Sequence, residues 1–294
     1  MRRRSAIILL VLVILVGLSA NALMAQPVLH MLSALDPNEY TIYNQAFEAA
    51  TGIKIEAVKM SAGECQARLM AEAKNPQFSI WFGGSSPEFA KGAQAGLLEP
   101  FKPQGADFIK ANQRDKDWNW VGFYFGAIAF GSNKDWFAKN NQAFPTSWQD
   151  LLKPAFKGQI SFAYPYSSGT AYTIMATALQ LMGEEKGFDY LKKLDANVHH
   201  YNTSGPACVT QAGLGEIAIS IAFTHDIMAK GISQGYPLKM TVPSEGTGYE
   251  IGAMAVVKGG PEPDLAKQYI NWAQTTDCQN LMQKWFRVPL NPKA

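Results

Sequence analysis

Small hydroxyl side chains gather where apolar runs give way to helical patterns. The densest case is Tyr164-Pro165-Tyr166-Ser167-Ser168-Gly169-Thr170-Ala171. The first free amides of a helix, its positive dipole end and three hydroxyls can together hold a phosphate, a phosphonate or a carboxylate. Capping alone would need fewer hydroxyls than Ser167, Ser168 and Thr170 supply, and Gly169 lets backbone approach a guest. The loop lacks the lysine of a Walker A motif, so nucleotide hydrolysis is not implied. Ser61-Ala62-Gly63-Glu64 is a weaker version: Ser61, Gly63 and Glu64 can face a guest, or serve only as a capping box. Gly84 and Ser85, in Gly83-Gly84-Ser85-Ser86, fit either a close ligand approach or a tight turn. Ser33 ends the first apolar run, and Ser204 opens another helix at Ser204-Gly205-Pro206. His225-Asp226 follows the apolar run 217–223 and can hydrogen-bond a polyol or an anion, although a lone histidine is often structural. In Glu245-Gly246-Thr247-Gly248-Tyr249-Glu250, Glu245 and Glu250 can accept bonds from hydroxyls or simply face solvent.

The elements that position these residues alternate between short strands and amphipathic helices, which predicts an α/β protein. Strands are expected at 28–32, 53–58 and 78–82. Each feeds a helix start: Asp36-Pro37-Asn38-Glu39, Ser61 to Glu64, and Gly83 to Pro87. In open α/β sheets such carboxyl ends are where ligands bind. The aromatic stretch 118–130 reads in part as an extended crossing into a second lobe. A Trp-bearing helix is expected at 145–158 and a strand at 159–164, then helices at 171–182 and 184–194 and a buried strand at 217–223. Segments 238–242 and 251–257 read as strands returning to the first lobe, before two terminal helices. The expected division is residues 26–125 with 243–294 in one lobe and 126–242 in the other.

Arg2 to Arg4, the apolar run 6–18 and the small residues Ala20, Ala22 and Ala25 have the order of a cleavable secretory signal over 1–25. The chain carries 26 basic and 24 acidic residues; without the three arginines of that leader the balance is 23 to 24. A near-neutral chain with no Lys/Arg run gives no footprint for nucleic acid, so any preference for an anion must be local. Cys65, Cys208 and Cys278 are too widely spaced for a CxxC or zinc motif. Export permits a disulfide, and the expectation is a Cys208–Cys278 bridge with Cys65 free and buried. No nucleophile elbow, metal cluster or cofactor motif is present, so neither catalytic residues, a metal nor a cofactor is expected.

Pro145-Thr146-Ser147-Trp148-Gln149-Asp150-Leu151-Leu152-Lys153-Pro154, then Phe156-Lys157-Gly158-Gln159-Ile160 and Ser167-Ser168-Gly169-Thr170-Ala171, resemble type II periplasmic binding proteins of the ferric-iron class. That resemblance spans essentially all of the chain beyond the leader. It implies two α/β lobes joined by two crossing hinge segments, with a guest buried between them. It also implies a monomeric receptor in the periplasm that captures a small solute by hinge closure for an ABC permease, or for a sensor kinase. Ferric binders of this class carry adjacent tyrosines where Thr224-His225-Asp226 stands, and Fe(III) prefers phenolate and carboxylate oxygens. A ferric receptor would have to use Tyr166, Tyr172 or Tyr249 instead. The segments around Ser61, Gly84, His225 and Glu245 to Glu250 look closer to a subgroup that binds sugar phosphates. The resemblance thus implies a small anionic solute, with His225, Asp226 and Glu245 or Glu250 on the sugar and the serine-rich helix starts on the phosphate. A phosphonate would fit nearly as well.

Overall fold

The computed structural model describes residues 26–294, so the leader read at 1–25 lies outside the described residues. The chain opens with β1 (Val28–Ser33), α1 (Pro37–Thr51), β2 (Lys54–Lys59), α2 (Ala62–Ala71), β3 (Ile80–Ser85) and α3 (Ser86–Gln94). Both ends of α1 follow plain local chemistry. Asp36 takes the Asn38 amide at 2.9 Å with Pro37 in the first turn, and Gly52 stops α1 with φ of 76°. β1 lies parallel to β2 and β3, so all three strands present their carboxyl ends on one side.

After β4 (Leu98–Glu99), the 13-residue strand β5 (Val121–Asn133) runs through both halves of the molecule. The second half continues with α4 (Lys134–Lys139), β6 (Ile160–Ala163), α5 (Gly169–Met182), α6 (Glu184–Asp195), β7 (Val198–Asn202), α7 (Ala207–Leu214), β8 (Ile219–Phe223), α8 (Thr224–Lys230) and β9 (Leu238–Thr241). The chain then returns through β10 (Tyr249–Val257) and ends with α9 (Pro263–Ala273), α10 (Thr276–Leu281) and β11 (Val288–Pro289). The first part of β5 pairs with β10, from Val121 to Ala127, and its second part pairs antiparallel with β8 and β9, from Ile128 to Asn133. The hydrogen-bonded path is β2-β1-β3-β10-β5-β8-β6-β7. Alternation along the strands covers both faces of each half. Met31, Phe82 and Met254 enter one core, while Leu32, Trp81 and Ala253 enter another. In the second half Phe130 and Ile221 face one core, and Ala129 and Ala222 the other.

Three expectations are corrected. β9 does not return to the first lobe, because Leu238 to Thr241 pair with the far end of β5, Asn133 to Phe130. The stretch expected as one helix at 145–158 forms two single turns, Gln149–Leu152 and Pro154–Phe156, since Pro154 interrupts it. No disulfide joins Cys208 to Cys278: all three cysteines are free and buried, with Cys208 in a core of the second half and Cys278 in a core of the first. Burial pushes the Cys65 and Cys208 thiols up to about 12, which keeps them protonated. Among the described residues no helix is long and apolar enough to cross a membrane.

Candidate ligand-binding site

Six helix starts, at Asp36, Ser61, Ser85, Ser168, Pro206 and Phe223, border one cavity of about 90 Å³ between the two halves. α3, α5 and α7 begin with no side chain bonded into their first turn. Helix amides left unpaired need a partner, and their dipoles favour a negative one. Ser85 does not cap α3; its hydroxyl donates to the Glu250 carboxylate. Gly169 is required by proximity, since a Cβ there would lie 2.7 Å from Ser85 Oγ on the facing lobe.

A charged web closes the other side. Arg287 donates from Nε and Nη2 to Glu39, the second bond at 2.8 Å, and from Nη1 to His225 Nε2 at 2.7 Å. Its guanidinium lies 3.9 Å over the Tyr124 ring. A guanidinium has no acceptor, so Nε2 must receive and the His225 proton sits on Nδ1. Burial, and then the facing Arg287 charge, hold His225 well below its ordinary pKa, so the imidazole is neutral. Gly126 makes room for this ring, because a Cβ there would lie 2.6 Å from Nδ1. Arg287 is carried the other way: burial alone would lower the guanidinium, and Glu39, with Tyr124 and Asp226, more than offsets it. Lys230 of α8 pairs with Asp36 across the lobes.

Lys59 differs from these cations. Its ammonium donates to the carbonyls of Ala34 and Met60, both at 2.8 Å, and among the described residues no carboxylate lies within 4 Å. Burial lowers its pKa, and Asp36 and Asp226 partly restore it. Asp226 and Glu250 line the same cavity. Burial raises Asp226 to about 6 and Glu250 to about 7, each partly offset by Arg287.

Of the residues expected from sequence, Ser61, Gly84, Ser85, Ser168, Gly169, Thr170, Ser204, His225, Asp226 and Glu250 line this cavity. Five do not. The Ser33 hydroxyl donates to the Phe82 carbonyl at 3.0 Å and accepts the Leu35 amide at 3.2 Å. The Gly63 amide bonds the Ser167 carbonyl at 3.3 Å, which fastens one lobe to the other. Glu64 takes the Ser61 N–H at 2.8 Å and its hydroxyl at 2.6 Å, and those bonds hold its carboxyl below the usual range. Ser167 donates to the Thr203 carbonyl at 2.9 Å, and Glu245 accepts the Trp148 amide at 3.0 Å. Asp36, Lys59, Tyr124, Lys230 and Arg287 also line the cavity and were not anticipated. Lys59 stands two residues before Ser61, at the very strand end that drew attention to Ser61. Arg287 gave no local signal: its partners Glu39 and His225 are 248 and 62 residues away.

Two α/β lobes on a shared strand, with helix starts of both facing one cavity, define a type II periplasmic binding protein. The chain belongs to the bacterial extracellular solute-binding protein family, whose model matches residues 83–294. An uncharacterized protein of Haemophilus influenzae is 37% identical over 245 residues, covering 82% of this chain and 70% of the relative. A putative 2-aminoethylphosphonate-binding periplasmic protein of Salmonella typhimurium is 27% identical over 83% of this chain and 71% of its own length. The solved structure of the periplasmic binding protein AfuA from Actinobacillus pleuropneumoniae, with exogenous fructose-6-phosphate bound, superposes with a TM-score of 0.88. It shares 32% identity over 92% of this chain and 87% of that one. The chain is thus a periplasmic binding protein of the kind that serves ABC transporters, which take up small solutes with a membrane permease.

Proposed function

We propose that this protein captures a small solute bearing a phosphate or phosphonate group in the periplasm and delivers it to an ABC permease. The reading rests on one observation: uncapped helix starts from both lobes meet at a single cavity that also holds Lys59, the cation without a carboxylate partner. Oriented amides with one uncompensated ammonium suit a compact anion. The Asp226 and Glu250 carboxyls supply acceptors for hydroxyl or amino groups on the rest of the guest. Fructose-6-phosphate, bound in AfuA, and 2-aminoethylphosphonate, in the name of the putative Salmonella binder, both join an acidic phosphorus group to such donors. The division into lobes near residues 127–128 and 242–248 makes closure the capture step.

The ferric alternative finds little support in the tyrosines it would need. Tyr166 is 76% exposed, Tyr172 lies under Lys91 and Tyr249 stacks on Phe125. Burial holds the Tyr124 phenol well above its ordinary pKa, unsuited to serve as a phenolate.

Native mass spectrometry of protein purified without denaturation tests the reading, followed by calorimetric titration with fructose 6-phosphate, 2-aminoethylphosphonate and inorganic phosphate. A phosphorus-bearing adduct, or micromolar or tighter binding of one of the three, is expected. Binding of neutral sugars or amino acids in preference to all three would contradict it.

A further inference from the structure

We propose that capture is proton-coupled: closing the lobes over the guest takes up protons on Glu250, Asp226 and Glu88. The inference rests on the reading that an acidic guest sits between the lobes, and it adds how that site is regulated.

Charge and burial carry the argument. Two of the three cations at the cavity are already matched, Arg287 by Glu39 and Lys230 by Asp36. Lys59 remains, against Asp226 and Glu250, which are 6% and 4% exposed. The guest therefore meets more negative than free positive charge unless those carboxyls are neutralised. Each looks onto groups of several elements. Asp226 faces Arg287 of the C-terminal segment, Lys59 of β2, Glu39 of α1, and Lys230 and His225 of its own helix. Glu250 faces Arg287, His225, Asp226, the Ser85 hydroxyl and Tyr124 of β5.

Glu88 lies outside the cavity lining but in the same seam. It is 3% exposed, and its Oε2 has no hydrogen-bond partner. The backbone at Gly169, on the opposite lobe, comes so near that a Cβ there would stand 3.3 Å from that oxygen. Its other neighbours are its own amide and Lys91, both on α3. A buried unpaired carboxylate is costly, and protonation removes much of that cost. Opening the seam at α5 returns the group to water.

The direction follows from linkage. In the closed form burial raises Glu88 and Asp226 to about 6 and Glu250 to about 7, whereas open, hydrated carboxyls titrate near 4. Between those limits the closed form holds more protons, so affinity falls as pH rises through the window and levels off above it. His225 acts in the opposite sense, because the closed form keeps it neutral: below about 6.5 it must release a proton on closure. The sum is a net uptake at pH 6 that fades toward pH 8.

Titration calorimetry of fructose 6-phosphate binding at pH 6, 7 and 8, in buffers of different ionisation enthalpy, counts the protons. The phosphorus-31 shift of the bound probe, free and complexed, subtracts any proton carried by the probe itself. Glu250→Gln should remove most of the uptake at pH 7. Glu88→Gln, which leaves the cavity lining untouched, should remove about half a proton at pH 6. Binding with no protein-borne uptake at pH 6, or an uptake unchanged in both variants, overturns the inference while leaving the proposed function standing. Failure of fructose 6-phosphate, 2-aminoethylphosphonate and inorganic phosphate to bind at any pH overturns both.

Discussion

Lys59 and Arg287 both line the cavity as cations, yet their surroundings assign them different work. Arg287 is locked by a bidentate pair with a fully buried Glu39, by His225 and by the Tyr124 ring. Removing it strands Glu39, and breaking such a buried pair costs about 3–5 kcal/mol. Lys59 strands no charge: its partners are two backbone carbonyls, whose loss costs less than leaving a buried ion unpaired. Lys59→Met is therefore expected to weaken fructose 6-phosphate binding by about ten- to a hundredfold, the worth of a charge-assisted hydrogen bond. The melting temperature of the empty protein should hardly move, whereas Arg287→Met should lower it by several degrees. Paired titration and thermal melts check the contrast, and equal melting losses would make Lys59 a structural lysine. Ser168→Ala with Thr170→Ala belongs with Lys59: weaker binding, unchanged melting.

At the scale of elements, the strand-to-helix handovers were legible because their signals are local. Asp36-Pro37 and Ser61 to Glu64 name helix starts by short-range hydrogen bonds, and the structure puts α1 and α2 after them. The direction a side chain takes after its helix start was not legible. Ser33 and Ser85 both end parallel strands, yet one hydroxyl is spent on the Phe82 carbonyl while the other reaches Glu250 and the cavity rim. β9 was misplaced for a related reason, since a four-residue strand carries no mark of its partner. The α5 start offers a test of how elements meet. Gly169 needs no special backbone angle, and alanine favours helix, but a Cβ would press on Ser85 across the seam. Gly169→Ala should leave or slightly raise the melting temperature of the empty protein and weaken binding by tenfold or more. A variant that melts earlier yet binds normally would show that the lobes do not approach there on capture.

The whole molecule is two lobes, each with a core on both faces of its sheet, linked by one long strand and a short return segment, which is the arrangement a hinge needs. Across the seam stand the Lys230–Asp36 pair, the Gly63 to Ser167 bond and Lys91 4.5 Å from the centre of the Tyr172 ring. Apart from the buried Arg287–His225 bond these contacts are partly exposed and individually weak, so a guest adds to the bias toward closure. A ligand shifts an equilibrium only by its differential affinity for the two states, and contacts from both lobes provide that difference. The two-lobed plan was legible from the order of elements and from the resemblance. The Arg287 network was not, because its members, Glu39, Tyr124, His225 and Arg287, come from four distant parts of the chain. Diffraction from crystals grown with the best-binding of the three phosphorus compounds tests the account most directly. Phosphorus density is expected within hydrogen-bonding reach of the α5 first-turn amides and of Lys59 Nζ, with both lobes in contact with the same molecule. A phosphorus group turned to solvent, or a guest held by one lobe alone, would contradict it.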